Sequence, residues 1–483
     1  MLRSGQGVVV CARVEGCSLK GAVLIQRIRL SSSRRPRGAA LLERFQHPAQ
    51  VVVSGFAVTI AAGTLLLSLP QATAGEGSAP WLDALFTSTS AVCVTGLVTV
   101  DTGTYWSTFG ELVILGLIQV GGLGLMTLAT LFAVLLSRRL GLRARMAAQA
   151  ETKTMRMADV RRVVRNVVLF SLVSEAVVAG VLTARLVLGH GEPLGRALYL
   201  GVFHAVSAFN NAGFALWPDS LVRFATDPWI NLTICTAVIV GGLGFPVVFD
   251  LVRQWRHPAG WTILTRVTLT MTALLLVGGT LVLTVAEWDN PGTLGAMPRP
   301  SRWLAGFAAA VMPRTAGFNT IDVAQMRTES WLATDVLMFI GGGSAGTAGG
   351  IKVTTFGLLG FVLWAEMRGE ARVNVGHRRL PEGTQRQALA IVLLSVGLVT
   401  AMTFTLLSLT SYSLDQVLFE VTSAFGTVGL STGITADLPD TGHLLLVALM
   451  FLGRIGPLTF ATALALRERA HLYELPEERP IVG

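Results

Sequence analysis

A frame of twelve residues occurs four times along this chain. The copies read FTSTSAVCVTGL, FHAVSAFNNAGF, FAAAVMPRTAGF and FEVTSAFGTVGL, at Phe86–Leu97, Phe203–Phe214, Phe307–Phe318 and Phe419–Leu430. Each copy has Phe at its first position, Gly at its eleventh and Leu or Phe at its twelfth. The four glycines are separated by 117, 104 and 112 residues, a regularity that marks an internal repeat. We therefore expect four equivalent structural units.

Each copy is too short to cross a membrane as a helix. It offers only about eight to ten apolar-leaning residues before a small, glycine-bearing turn, whereas a membrane-spanning helix needs about 20. We therefore predict a half-helix that enters the membrane and turns back. Non-helical backbone at that depth is tolerated only inside protein or along a water-filled path.

The glycine turns suit a cation-selectivity filter. Glycine permits backbone dihedrals that aim carbonyl oxygens at a common axis, and four such turns would line an ion path with oxygen. The fourth copy contains Thr427-Val428-Gly429, close to the T-V-G of potassium-channel filters. The alternative is four small-residue contacts that pack transmembrane helices. The residues predicted to form the filter and to bind K⁺ are Val94, Thr95, Gly96, Asn211, Ala212, Gly213, Thr315, Ala316, Gly317, Thr427, Val428 and Gly429.

The composition indicates a membrane protein. Apolar residues make up 52% of the chain and charged residues only 14%, with a mean hydropathy of +0.61, which excludes an ordinary soluble domain. The net charge of +9 fits arginine on cytoplasmic loops better than nucleic-acid binding, so no nucleic-acid partner is predicted. The sequence shows no nucleophile–base pattern, dinucleotide fingerprint or zinc-spaced Cys/His cluster, so we do not predict an enzyme.

We predict an all-α polytopic membrane protein with eight transmembrane helices, in four pseudo-repeated helix–pore-loop–helix units around one ion path. The stretch Ser137–Arg165, with both ends included, contains nine basic residues, and the positive-inside bias places both termini in the cytoplasm. Continuous second helices are expected at Thr108–Leu136, Trp229–Leu251 and Leu444–Leu466. The predicted segments are a basic N-terminal tail (1–48), repeat 1 (49–136), a basic cytoplasmic linker (137–162), repeat 2 (163–251), repeat 3 with a broken second helix (252–366), a cytoplasmic linker (367–386), repeat 4 (387–466) and a cytoplasmic C-terminal tail (467–483).

A second glycine pattern lies in the second helix of each unit. It reads GGLG from Gly121, GGLG from Gly241, GGG from Gly341 and GRIG from Gly453, so Arg454 stands where the other copies have glycine. Small residues here suit close helix packing. An arginine near the middle of a span is costly, however, and indicates a functional role by default.

The stretch GGGSAGTAGGIK at Gly341–Lys352 predicts a break in the third unit's second helix, because each glycine costs a helix about 1 kcal/mol relative to alanine. It does not match the phosphate loop G-x-x-x-x-G-K-[ST], since Val353 follows Lys352. We predict a plug that gates the ion path together with the arginine; the alternative is a kinked packing helix. The predicted gate residues are Gly341, Gly342, Gly343, Ser344, Ala345, Gly346, Thr347, Ala348, Gly349, Gly350, Lys352 and Arg454.

Acidic residues recur shortly after the filter turns. Asp101, Asp219 and Asp322 follow their glycines by five or six residues, and Asp437 follows its glycine by eight. A ring of carboxylates at an outer vestibule would raise the local cation concentration; the alternative is that these loops are simply polar. Glu175 lies within an apolar span, and we expect it to pair with polar groups of a neighbouring helix rather than to form a separate site.

These frames, with their flanking helices, resemble the Trk/Ktr/HKT superfamily of potassium and sodium transporters. The resemblance covers about residues 48–470, and its most specific parts are the four frames, Gly341–Lys352 and Gly453–Thr459. The absence of two additional leading spans makes the chain look like the bacterial Ktr membrane subunit rather than a Trk one.

The resemblance implies K⁺ uptake across the plasma membrane, an intramembrane gating loop beneath the filter and a homodimer among membrane lipids. It also implies a separate cytoplasmic nucleotide-binding regulatory ring. No covalently bound cofactor is expected, and Na⁺ is left open as a coupling or activating ion. One rival is a Na⁺-selective transporter of the same fold, although plant members of that type often have serine at the position of Gly96. The other is a secondary transporter of a larger solute, built on broken helices.

Overall fold

The computed structural model describes residues 48–139, 157–344, 346–370, 372–375 and 378–456. Within these ranges the chain forms 15 α-helices and one two-stranded antiparallel hairpin of Asn374–Val375 (β1) and Arg378–Arg379 (β2). The hairpin departs from the all-α prediction, because in the link between Met367 and Glu382 the residue Asn374 pairs with Arg379 and Val375 pairs with Arg378. The helices are α1 (Pro48–Leu67), α2 (Trp81–Cys93), α3 (Thr102–Tyr105), α4 (Thr108–Arg139), α5 (Met157–His190), α6 (Leu194–Phe209), α7 (Pro228–Leu243), α8 (Phe245–Gln254), α9 (Ile263–Ala286), α10 (Arg299–Val311), α11 (Thr328–Phe339), α12 (Val353–Met367), α13 (Glu382–Leu409), α14 (Leu414–Gly426) and α15 (Asp440–Ile455).

Four of the described helices are long and apolar enough to cross a membrane: α1, α5, α9 and α13. A fifth span is added if the bent pair α7–α8 is taken as one. Large apolar side chains remain exposed on these helices, including Leu65, Val277 and Phe404. Such surfaces suit contact with lipid tails. The chain is therefore a helical membrane protein with several spans.

Four short helices, α2, α6, α10 and α14, carry the repeated frame. The first three begin directly after Pro80, Pro193 and Pro298, and the fourth begins at a capping box formed by Ser413 and Gln416. Proline is favourable at a helix start because the first N–H groups have no partner within the helix. The part of each helix that lies within its frame is mostly buried, in contrast to the long apolar helices, and each helix ends within its frame.

The second helices are interrupted more often than the sequence analysis predicted. In the third unit α11 ends at Phe339 and α12 begins at Val353, in agreement with the predicted break. The predicted continuous helix Trp229–Leu251 is wrong, because α7 and α8 meet at Gly244 with a bend of 99°. Gly244 has φ +94°, which no helix accommodates, and Pro246 in the first turn of α8 cannot donate a helical hydrogen bond.

In the fourth unit the second helix also ends at a glycine. The helix predicted at Leu444–Leu466 ends at Ile455, and Gly456 follows with φ +91°. Residues 457–466 of the prediction lie outside the described residues. In the first unit, by contrast, α4 runs without interruption through Gly124.

Candidate functional site

The four frames share one unusual backbone conformation. Their ninth residues have positive φ although none is glycine, and their eleventh residues, all glycine, have positive φ as well. The left-handed conformation at position nine ends the helical stretch, and glycine at position eleven meets no Cβ penalty. The angles are 57°, 59°, 69° and 50° at Val94, Asn211, Thr315 and Thr427, and 89°, 73°, 68° and 96° at Gly96, Gly213, Gly317 and Gly429.

The four glycines form a closed ring, called here the glycine ring. A Cβ placed on Gly96 would meet the carbonyl oxygen of Ala212 and lie 3.0 Å from the Cα of Gly213. The same contact joins the second unit to the third and the third to the fourth, and Gly429 returns to the first unit at Thr95 and Gly96. The carbonyl oxygens that meet the neighbouring glycines belong to the tenth residues of the frames: Thr95, Ala212, Ala316 and Val428.

Negative ends of helices surround the glycine ring. Helices α2, α6, α10 and α14 all end within the four residues that precede position nine of their frames. The carboxyl end of a helix carries about half a negative charge, because its last carbonyl groups have no partner within the helix. Four such ends beside a ring of carbonyl oxygens create an environment that favours a cation and disfavours an anion.

Serine at the fifth position of the frame braces the ring, a feature that the sequence analysis missed. Ser90 accepts a hydrogen bond from the N–H of Gly96 at 3.0 Å, and Ser423 accepts the equivalent bond from Gly429 at 3.1 Å. In the second unit Ser207 instead donates to the carbonyl of Phe214 at 2.8 Å. The sequence pattern that could have indicated this role is a Ser-Ala pair at positions five and six in three of the four copies.

A cavity of about 320 Å³ opens on one side of the ring, lined by all four glycines and by Asp101 and Asp322. Asp101 accepts a hydrogen bond from the N–H of Thr104, and Asp322 from that of Ala324, so each carboxylate also caps a short helical turn. Asp219, the third predicted acid, is not among the lining residues.

The Asp219 carboxylate is engaged locally instead. It accepts a hydrogen bond from Nε of Arg223 at 2.7 Å. Partial burial raises the pKa of the Asp219 carboxyl, but its hydrogen bonds, including those from Arg223, and the charge of Arg223 together hold that pKa below its usual value.

The glycine-rich loop, Gly341–Lys352, closes on itself and docks on the second unit. Of its residues, Ala345 lies outside the described part of the chain. The two ends of the loop are joined by a hydrogen bond from the backbone N–H of Gly341 to the carbonyl of Ile351 at 2.8 Å. Its middle is held by Gly343, which donates to the carbonyl of Gly242 at the end of α7 at 2.7 Å. The bend at Gly244 thus leaves free carbonyl groups that the loop uses.

The loop lies against the ring on the side away from the cavity. The hydroxyl of Thr347 is 3.0 Å from the side-chain amide of Asn211, at position nine of the second frame. Gly349 packs so closely on Thr427, at position nine of the fourth frame, that a Cβ on it would overlap the threonine hydroxyl. In the second and fourth frames position nine therefore faces the loop, whereas the glycines at position eleven of all four frames line the cavity.

Two cationic side chains hold this loop. The buried guanidinium of Arg454 donates to the carbonyl of Thr347, and its second terminal nitrogen donates to the carbonyl of Gly121 in α4 at 2.7 Å. Lys352 donates to the carbonyl of Ala348 at 2.5 Å. Both cations donate hydrogen bonds to backbone oxygens of the loop. This geometry suits side chains that anchor the loop, and it differs from that of a free charge in an open path.

Two further polar side chains lie behind the frames. Glu175 accepts hydrogen bonds from Gln119 at 3.0 Å and from Asn210 at 3.1 Å, which confirms the expected pairing with neighbouring helices. Arg314 is buried next to position nine of the third frame, with Nη2 3.4 Å from the hydroxyl of Thr272. Arg314 was not predicted to have a role, since an arginine beside a proline and a threonine resembles an ordinary loop.

Comparison with known proteins gives the family. Residues 39–473 match the family model described as TrkH, cation transport protein. The chain is 42% identical over 425 residues to the Ktr system potassium uptake protein B of Bacillus subtilis, covering 88% of this chain and 94% of that protein. It is 35% identical over 443 residues to the potassium/sodium uptake protein NtpJ of Enterococcus hirae, covering 90% and 97% of the two chains.

A solved structure shares the fold. The potassium transporter TrkH of Vibrio parahaemolyticus superposes with a TM-score of 0.68 over 86% of this chain and 84% of its own, at 18% sequence identity. Together with the family match and the high coverage of the curated relatives, this establishes that the chain belongs to the TrkH family of cation transport proteins.

Proposed function

We propose that this protein takes up potassium ions across a plasma membrane, and that the glycine ring with its carbonyl oxygens is the selectivity filter. The observation that carries the proposal is the closure of the ring, in which each unit contacts the next and the fourth contacts the first. Carbonyl oxygens converging on one axis replace the hydration shell of a K⁺ ion, and the four helix ends add a negative field.

The architecture of the proposal is eight transmembrane helices in four pseudo-repeated units around one ion path. The repeated frame, the matched conformations at positions nine and eleven, and the short buried helices support this arrangement. Both termini lie in the cytoplasm, since the arginine-rich linkers favour that side. The cavity is then the outer vestibule, where Asp101 and Asp322 attract cations. Asp219 remains part of the proposed vestibule, as an acid that lies further from the cavity and attracts cations less.

The glycine-rich loop and Arg454 are proposed to form the gate. The loop lies under position nine of two frames, where an ion leaving the filter would arrive. Arg454 fixes the loop in that place by its bond to Thr347. Opening would require the loop to break its hydrogen bonds with the carbonyl groups of α7 and with the guanidinium of Arg454 at the same time.

A second candidate function is transport of Na⁺ with or in place of K⁺. It is favoured by the similarity to a protein named for potassium and sodium uptake. In the same proposal Na⁺ serves as a coupling or activating ion and no covalently bound cofactor is needed. The resemblance to the Ktr subunit supports a homodimer that works with a separate cytoplasmic nucleotide-binding ring.

Growth rescue tests the proposal most directly. A bacterial host without its own potassium uptake systems should grow at low K⁺ when it expresses this chain, and an empty vector is the control. Purified protein in vesicles should then carry K⁺ in preference to Na⁺, and should not carry an organic solute such as an amino acid. Equal rates for K⁺ and Na⁺ would select the second candidate, and transport of the organic solute alone would overturn both.

A further inference from the structure

The second position of the repeated frame differs between the units in a way that the proposed filter does not use. The four residues there are Thr87, His204, Ala308 and Glu420. Three of them carry polar side chains, and all of these are at least 99% buried in short helices next to the glycine ring. A buried polar side chain is costly unless it is hydrogen-bonded, so its partners reveal its role.

Glu420 is fully buried and binds the segment that follows the fourth filter turn. Its Oε1 accepts hydrogen bonds from the backbone N–H of Thr432 at 2.9 Å and from the hydroxyl of Ser431 at 2.5 Å. Its Oε2 accepts from the hydroxyl of Thr435 at 2.8 Å. Both carboxylate oxygens thus accept hydrogen bonds from three residues, Ser431, Thr432 and Thr435, that lie just beyond Leu430.

His204 makes the equivalent connection in the second unit. Its Nε2 accepts a hydrogen bond from the backbone N–H of Leu216 at 3.2 Å. Its Nδ1 therefore carries the proton and donates to the carbonyl of Leu200 at 2.7 Å. The ring is also stacked on Trp217, with 4.0 Å between centroids. The imidazole is fixed from both edges and from one face.

The two units make the same contact with different side chains, a carboxylate in one and an imidazole in the other. Counted from the first phenylalanine of each frame, Leu216 and Thr432 both occupy position fourteen, so a side chain at position two accepts the backbone N–H at position fourteen in each case. The first and third units have no such contact. The hydroxyl of Thr87 has no hydrogen-bond partner, and Ala308 has no polar side chain.

We propose that Glu420 and His204 are positioning residues for ion selectivity, which hold the chain beyond the glycine ring at two of its four units. This inference rests on the proposed potassium filter. Ser431 and Thr435 line the cavity together with Gly429, so the carboxylate of Glu420 fixes one wall of the outer opening as well as the turn itself. The units bound in this way, the second and the fourth, alternate around the ring with the two that are not.

The test compares variants by the ratio of K⁺ to Na⁺ flux in vesicles, a quantity that does not depend on how much protein is inserted. Glu420→Ala should lower the ratio roughly tenfold, the size expected when about one buried hydrogen bond no longer discriminates between two ions. Glu420→Gln keeps an acceptor for the N–H of Thr432, so most of the ratio should be retained. His204→Phe keeps the ring stacked on Trp217 but loses the acceptor, and should lower the ratio severalfold.

Thr87→Val is the matched control, because it changes the same frame position in the first unit without removing a hydrogen bond; its ratio should equal the parent's. If Glu420→Ala does not fold, Glu420→Gln and His204→Phe carry the comparison. A parent-like ratio in folded His204→Phe or in folded Glu420→Ala would overturn the inference, and so would a loss in Thr87→Val as large as theirs. A parent chain that carries no K⁺ would instead overturn the proposed function.

Discussion

Arg454 donates a hydrogen bond to the backbone carbonyl of Thr347, and so joins the last described helix to the glycine-rich loop of the preceding unit. Its other terminal nitrogen bonds to Gly121 in the first unit. One side chain therefore ties together three of the four units at the level of the loop. The same loop contacts the remaining unit through Gly242, so every unit contributes to its position.

This geometry gives opposite expectations for two roles of Arg454. If it anchors the loop, Arg454→Lys should behave like Arg454→Ala, because an ammonium group lacks the planar fork that reaches two carbonyl groups at once. Both variants should raise K⁺ flux, by roughly fivefold if the loop is held by a free energy of about 1 kcal/mol. If only the charge opposes the ion, lysine should leave the flux unchanged.

The measurement is K⁺ uptake into vesicles, corrected for inserted protein, with Arg253→Ala as the control because that arginine is exposed. Folding of each variant is checked by its elution as a single species in detergent. An unchanged flux in folded Arg454→Ala would mean that the arginine only stabilises the structure.

Shortening the loop should open the ion path. Deletion of Ser344–Gly349 removes Thr347 and Gly349, the residues that approach position nine of two frames. We expect K⁺ flux to rise severalfold while the K⁺/Na⁺ ratio stays within about twofold, since the carbonyl ring is untouched. Deletion of the exposed residues Gly75–Gly77 is the control. Reduced flux in a folded loop deletion would favour a packing role for these glycines.

Substitution of Gly96 by serine should damage selectivity. Gly96 has φ +89°, and an added Cβ would press on the carbonyl oxygen of Ala212 in the next unit. The strained conformation costs roughly 1–2 kcal/mol, and displacement of one carbonyl changes a ligand of the ion. The K⁺/Na⁺ flux ratio should fall about tenfold. Gly397→Ser, at an open position in α13, should leave it unchanged. A parent-like ratio in Gly96→Ser would remove this glycine from the filter.

The vestibule acids should act through their charge. Asp322→Asn keeps a side-chain oxygen for the N–H of Ala324 but removes a negative charge from the cavity wall. K⁺ uptake at low ionic strength should fall roughly twofold, and the difference should disappear near 0.15 M salt, where the screening length is about 8 Å. Asp219→Asn should have a smaller effect, since its charge is paired with Arg223. A loss that persists at high salt would indicate a structural defect.

The repeated glycines could be read from the sequence because the same frame occurs four times, and repetition needs no knowledge of long-range contacts. The break at Gly341–Lys352 was equally visible, since glycine content alone disfavours a helix there. The bend at Gly244 was missed although a local signal existed. Gly244 is followed by Phe245 and Pro246, whereas Gly124, which stays helical, is followed by Leu125 and Met126.

The side chains that hold the chain beyond the glycine ring had no such signal in the sequence. Glu420 and His204 each stand between two apolar residues of a short helix, and their partners lie twelve residues further on, across a turn whose shape depends on all four units. The pairing of Asp219 with Arg223 likewise depends on the conformation of their loop. Spacing placed the acid near the filter, but spacing cannot tell which way a side chain points.

The closed ring described above is built from a single polypeptide, and this changes what one mutation does. In a ring of four identical subunits every substitution appears four times, so equivalent positions around the ring cannot differ from one another. Here each quarter can vary alone. The eighth position of the frame is Cys93 in the first unit, Asn210 in the second, Arg314 in the third and Gly426 in the fourth. A substitution can therefore change one quarter of the ring at a time, which gives evolution, or an engineer, smaller steps than four identical subunits allow.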